Sequence, residues 1–126
     1  MSQRGALAIF VDQRQLSGRL TFSRDEVKDE LGVTGDAVKQ AVLRLAKQRR
    51  VVSPRRGFYV IVPLEDRERG APALERWLPN LLRYQGVKAS ETVVDGDEVL
   101  VSVDKAQRPM TCGPWCVRFQ VRRAAR

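Results

Sequence analysis

Asp36, Lys39, Gln40, Leu43, Arg44 and Lys47 recur at alternating intervals of three residues and one, and about 100° per residue places them together on one face of an α-helix. Their chemistry is that of a groove reader. Gln40 can make two hydrogen bonds to adenine and Lys39 can reach guanine, whereas Arg44 and Lys47 suit phosphate oxygens, which position a protein without reading sequence. Thr34, a favoured N-cap residue, opens this helix. In a helix-turn-helix the N-terminal residues of the second helix lie nearest the base edges. Thr34, Asp36, Lys39, Gln40 and Leu43 are therefore the expected base-reading set. Leu43 has two explanations, contact with a thymine methyl or packing under a partner chain.

The bases beyond the helix extend the same chemistry. Arg49 and Arg50 stand where cations favour a helix C-terminus, and where phosphates could also lie. Ser23 and Arg24 open an earlier helix whose free N–H groups could hold a phosphate, although Ser23 can equally be a simple cap. Arg55 and Arg56 fall in Ser53-Pro54-Arg55-Arg56-Gly57, a turn from whose tip they would enter a narrow minor groove or merely be solvated.

Catalytic and metal chemistry find little material. The chain has no histidine, the commonest general base and metal ligand, and no paired acids, nucleophile–base set or glycine-rich phosphate loop at usable spacing. No enzyme, cofactor or metal site is expected. Cys112-Gly-Pro-Trp-Cys116 has a three-residue gap, unlike redox C-x-x-C pairs, and two thiols cannot close a four-ligand zinc site. Half-buried residues flanking a Gly-Pro turn, an intra-hairpin disulfide and a metal shared by two chains remain as readings. Trp77 and Trp115 are read as core rather than stacking platforms.

The elements that must position the basic face follow from local pattern. Residues 3–16, with Ala6, Leu7, Ile9, Phe10 and Val11, predict a first helix ended by Gly18, and Arg19 to Phe22 predict a short strand. Ser23 and Glu26 form a capping box for a second helix from about Arg24 to Leu31. Gly32 supplies a left-handed turn, giving helix, turn, helix. On the third helix, Ala37, Val38, Ala41, Val42 and Leu45 make the core face. Val51-Val52 and Phe58 to Val62 then predict two antiparallel strands, a wing, stopped by Pro63.

Residues 64–73 are charged and contain Gly70 and Pro72, the composition of a linker. Leu74 to Tyr84 carries helical spacing, with Pro79 expected to kink the helix or restart it. Asp95-Gly96 signals a hairpin, and Val117 to Val121 a final strand. The expected fold class is α+β: a winged helix-turn-helix (1–63), a linker (64–73) and a small helix-plus-β-hairpin unit (74–126).

The net charge of +8 is concentrated in the first half. Residues 1–63 hold 12 Lys/Arg against 6 Asp/Glu, and 64–126 hold 11 against 9. Between Asp36 and Glu65 there are seven bases and no acid, a field suited to phosphates. No apolar run approaches the ~18–20 residues that span a bilayer. Asp12 and Arg14 interrupt the N-terminal apolar run, so it is not read as a signal peptide. Two cysteines without a leader suggest a reducing, cytoplasmic setting. The expected partners are double-stranded DNA and a second copy of the chain, with no membrane.

The run from Thr21 through Pro63, TFSRDEV…LGVTGDAVKQAVLRLAKQRRVVSPRRGFYVIVP, resembles the N-terminal winged-helix domain of the AbiEi family, antitoxins of type IV toxin–antitoxin systems that also act as transcriptional repressors. The SPRRGFYVIVP stretch is the most specific part. Val103-Asp104-Lys105, Arg108-Pro109 and Val117-Arg118-Phe119 are similar to a later segment of that family. The resemblance covers roughly two-thirds of the chain and implies an autoregulatory repressor acting on an inverted repeat. The alternative is a protein-interaction module whose basic surface binds and neutralises an acidic partner such as a cognate nucleotidyltransferase toxin, without DNA binding as its main role. Relatives carry a Tyr- and Ala-rich helical block ending near a His-Gly where this chain has the hairpin of residues 91–103, and their long C-terminal part has no counterpart here. The resemblance therefore implies a regulator more firmly than an antitoxin.

Overall fold

The computed structural model describes residues 5–122, an α+β arrangement with, among those residues, four α-helices and two sheets. The first half runs α1 (Ala6–Leu16), β1 (Thr21–Ser23), α2 (Arg24–Leu31), α3 (Gly35–Lys47), β2 (Val51–Arg55) and β3 (Phe58–Ile61). The second runs α4 (Leu78–Gln85), β4 (Ala89–Asp95), β5 (Glu98–Val103), β6 (Met110–Cys112) and β7 (Trp115–Val121). Residues 3 and 4 of the first expected helix lie outside the described residues.

Local chemistry sets the helix ends. Ser23 Oγ accepts from Glu26 N at 3.2 Å while Glu26 Oε1 accepts from Ser23 N at 3.2 Å, the two halves of a capping box. Gly32 ends α2 with φ +62°, and Thr34 Oγ1 caps α3 by accepting from Ala37 N at 3.2 Å. Pro79 lies in the first turn of α4, where its missing N–H costs nothing, so the helix restarts there after a short 3₁₀ turn at Leu74–Arg76.

The three-stranded antiparallel sheet, in order β1-β3-β2, is covered on both faces. Tyr59 and Ile61 join Leu7, Val11, Phe22, Val38 and Leu45 in a core under α1–α3, where the Phe22 ring stands 5.4 Å from Phe10 and 5.1 Å from Tyr59. Phe58 and Val60 alternate to the other face and join Trp77, Leu81, Val101 and Val117 of the second half. All four residues of β3 are buried, which accounts for its unbroken apolar run.

Part of the expected linker is seated on the fold: Ala71 and Pro72 are buried, Pro72 O accepts from Trp115 Nε1 at 3.0 Å, and Gly70 lies against Gly113, while Leu64, Glu65, Glu68 and Arg69 are exposed. The turn between β2 and β3 is also tighter than Ser53–Gly57. Strand β2 continues through Arg55, with a register shift between Val52 and Arg55 that accommodates Pro54. Ser53 Oγ bonds Arg55 O at 2.8 Å and Phe58 O at 3.0 Å across that irregularity, leaving Arg56-Gly57 as the two-residue tip.

The second sheet, in order β4-β5-β7-β6, holds a parallel β5/β7 pair between antiparallel neighbours. The hairpin expected at Asp95-Gly96 forms, with Gly96-Asp97 as its loop because Asp95 pairs with Glu98. Strand β7 starts two residues before the expected Val117, and β6 was not expected at all.

Gly113-Pro114 turns β6 into β7, and Cys112 and Cys116 on either side are free thiols. Burial pushes the Cys112 thiol up to about 12. The thiol therefore stays neutral in the folded chain where an unfolded one ionises, so its contribution to stability is complete below about 9 and is lost as pH rises from there toward 12. In native protein at mildly alkaline pH, iodoacetamide is expected to label the half-buried Cys116 well before Cys112, with both labelled in denaturant. Mass mapping of the labelled peptides checks this, and equal native rates would contradict it.

Candidate nucleic-acid interface

Helix α3 packs on α1, α2 and β2 through Val38, Ala41, Val42 and Leu45. Thr34, Asp36, Lys39, Gln40, Leu43, Arg44 and Lys47 are all exposed. Leu43 retains 48% of its surface among the described residues, so it is left about half exposed. Arg49, also exposed, follows the end of the helix. None of Lys39, Arg44, Lys47 and Arg49 forms an ion pair among the described residues. Unpaired cations keep their full field available to an anionic partner.

Arg49 carries φ +60°, the left-handed region, in a position where helices usually place glycine. Its N–H donates to Ala46 O at 3.0 Å and Arg50 N–H donates to Leu45 O at 3.0 Å, the paired bonds of a Schellman end. A side chain there costs about 1 kcal/mol. Arg49→Gly is accordingly expected to stabilise the fold by about 1 kcal/mol while weakening duplex binding. Thermal melts and anisotropy titrations would read these opposite directions, and a variant unchanged in duplex affinity would remove Arg49 from the interface.

Arg24 lies beside the start of α3, its Cδ 4.0 Å from where a Cβ on Gly35 would stand. The N–H groups around it are already used: Ser23 N and Glu26 N close the capping box, and Arg24 N donates to Gly57 O at 2.9 Å. Ser23 is thus a structural cap, and the anion site expected from free N–H groups there loses three of its donors. The Arg24 side chain remains half-exposed.

Two of the expected phosphate ligands are diverted. Arg50 pairs with Asp12 of α1 and is only partly exposed. Arg55 does not project from the tip: its guanidinium donates to Arg108 O and lies 5.9 Å from the Phe119 ring centroid. Burial first, and then Arg108 nearby, pull its ionisation down from the ordinary arginine range. The reason is that the second sheet covers this face of the hairpin, an arrangement no local pattern announces. Arg56 alone is exposed at the tip, its carbonyl accepting from Tyr84 Oη at 3.1 Å.

The fold also adds a base that the linker reading passed over. Arg67 shares with Arg49 a cleft of about 380 Å³ at the end of α3, together with Glu68. Its signal was a charged run, LEDRERG, whose place on α3 depends on long-range packing.

The exposed set can present cations, amide and hydroxyl groups to a polyanionic groove, with one acid, Asp36, near the start. No helix among the described residues is long and apolar enough to cross a membrane. No protein-family model, curated protein or solved structure matches this chain.

Proposed function

We propose that the chain is a non-enzymatic, winged helix-turn-helix regulator that binds duplex DNA, with α3 as the recognition helix and the β2–β3 hairpin as the wing. The observation that carries this reading is the exposed face of α3, where Lys39, Arg44, Lys47 and Arg49 form no ion pair among the described residues and stand beside Gln40. Gln40 and Lys39 face bases, Arg44, Lys47 and Arg49 hold phosphates, and Arg56 touches the flanking groove. The resemblance of Thr21–Pro63 to AbiEi-type repressors supports an autoregulatory role on an inverted repeat, read by two copies in the cytoplasm.

Selection of bound fragments by the purified chain would give the operator, and anisotropy titrations over a range of salt would measure the contacts. Affinity is expected to fall steeply with salt, since each neutralised phosphate releases counterion. Gln40→Ala is expected to reduce discrimination at one base position roughly tenfold, with little change in non-specific affinity. Absence of association with any duplex, even in dilute buffer, would end the proposal.

A further inference from the structure

A separate recess of about 480 Å³ opens where the edge strand β1 meets α4, at the junction of the two halves. Its charges do not cancel. The one acid in its wall, Glu26, is consumed, with one oxygen on Arg14 and the other accepting from Ser23 N. Arg19 and Arg83, both exposed, make no ion pair among the described residues. Among the described residues Arg83 reaches only Asn80 Oδ1, at 3.4 Å. Asn80 Nδ2 donates to Thr21 Oγ1 at 3.0 Å, which leaves the threonine hydroxyl proton free to donate elsewhere. The Phe58 and Tyr84 rings, 5.2 Å apart, form an apolar side to the same recess.

Two uncompensated guanidinium groups, a free hydroxyl donor and an aromatic wall around a volume of this size make a site for a compact anion. We propose that this cleft binds a small polyanion whose charge is carried on phosphate or carboxylate oxygens. The guanidiniums bracket the oxyanion, Thr21 donates to it, and the ring wall takes any planar portion of the ligand. Arg19, Asn80 and Arg83 have no part in the α3 surface, so the site stands whether or not the chain binds DNA.

The test is a titration of the isotope-labelled full chain, followed by NMR, with inorganic pyrophosphate and separately with citrate, against chloride at matched ionic strength. Saturable shifts at Thr21, at the Asn80 side-chain amide and at the Arg19 and Arg83 Nε–H groups are expected with at least one anion. The responding anion identifies the oxyanion class. Arg19→Gln with Arg83→Gln should weaken that binding at least about tenfold, whereas Arg56→Gln should leave it unchanged. Shifts that never saturate, that spread equally to Lys39 and Lys47, or that survive the double substitution would overturn the proposal. So would a cleft that responds only to duplex DNA, since it would then be part of a nucleic-acid surface.

Discussion

Replacing Arg44, Lys47 and Arg49 together by alanine is expected to lower duplex affinity about 100-fold near 0.15 M salt. The slope of log affinity against log salt should flatten by about 2.7, because each lost phosphate contact removes about 0.9. The three side chains are exposed and form no ion pair among the described residues, so the melting transition should move little. The loss should be the same on the operator and on unrelated duplexes, the signature of contacts that hold the backbone rather than read bases. Arg55→Ala makes the contrast: its guanidinium is bound to Arg108 O and Phe119, so it should lower the melting temperature before it affects binding. Anisotropy titrations at several salt concentrations, paired with thermal melts, decide both. An unchanged slope in the triple variant would remove α3 from the interface.

The second large effect is on stability. Gly113 turns β6 into β7 with φ +57°, and a Cβ there would stand 2.6 Å from both C and O of Gly70 and 2.7 Å from Ala71 Cβ. Backbone cannot swing aside as a side-chain tip can. The left-handed conformation costs a non-glycine residue about 1 kcal/mol, and forced overpacking adds roughly 1–3 kcal/mol. Gly113→Ala should therefore destabilise the fold by about 3 kcal/mol and lower its melting temperature by roughly 10 °C. Denaturant unfolding gives the measurement. A loss under about 1 kcal/mol would mean that the 64–73 segment yields easily, against its tight seating on the β6–β7 turn.

What could be read from the chain itself divides by distance along it. The bounds of α2 and the start of α3 follow from Ser23, Glu26, Gly32 and Thr34, each acting within about four residues, and the outward set on α3 follows from helical periodicity alone. Asp95-Gly96 marked a hairpin, and the local signal missed its loop by one residue. The failures concern pairings remote in sequence. Nothing near Arg55 signals Arg108 or Phe119, more than fifty residues away, and nothing in Asp12 signals Arg50. The parallel β5/β7 pair joins strands with β6 between them, a topology that alternation cannot specify. The run FYVIV was legible as a strand, but an apolar strand looks the same whether one face or both are covered.

The double covering of β3 has a practical consequence for anyone wishing to transplant the basic helix. Cutting after residue 63 would lay Phe58, Val60 and Val52 bare in water along one continuous patch. Such a fragment should clump or misfold rather than behave as a portable reading head. The two halves draw their cores from opposite faces of the same strand, so a graft that keeps α3 in register would have to carry the second sheet with it.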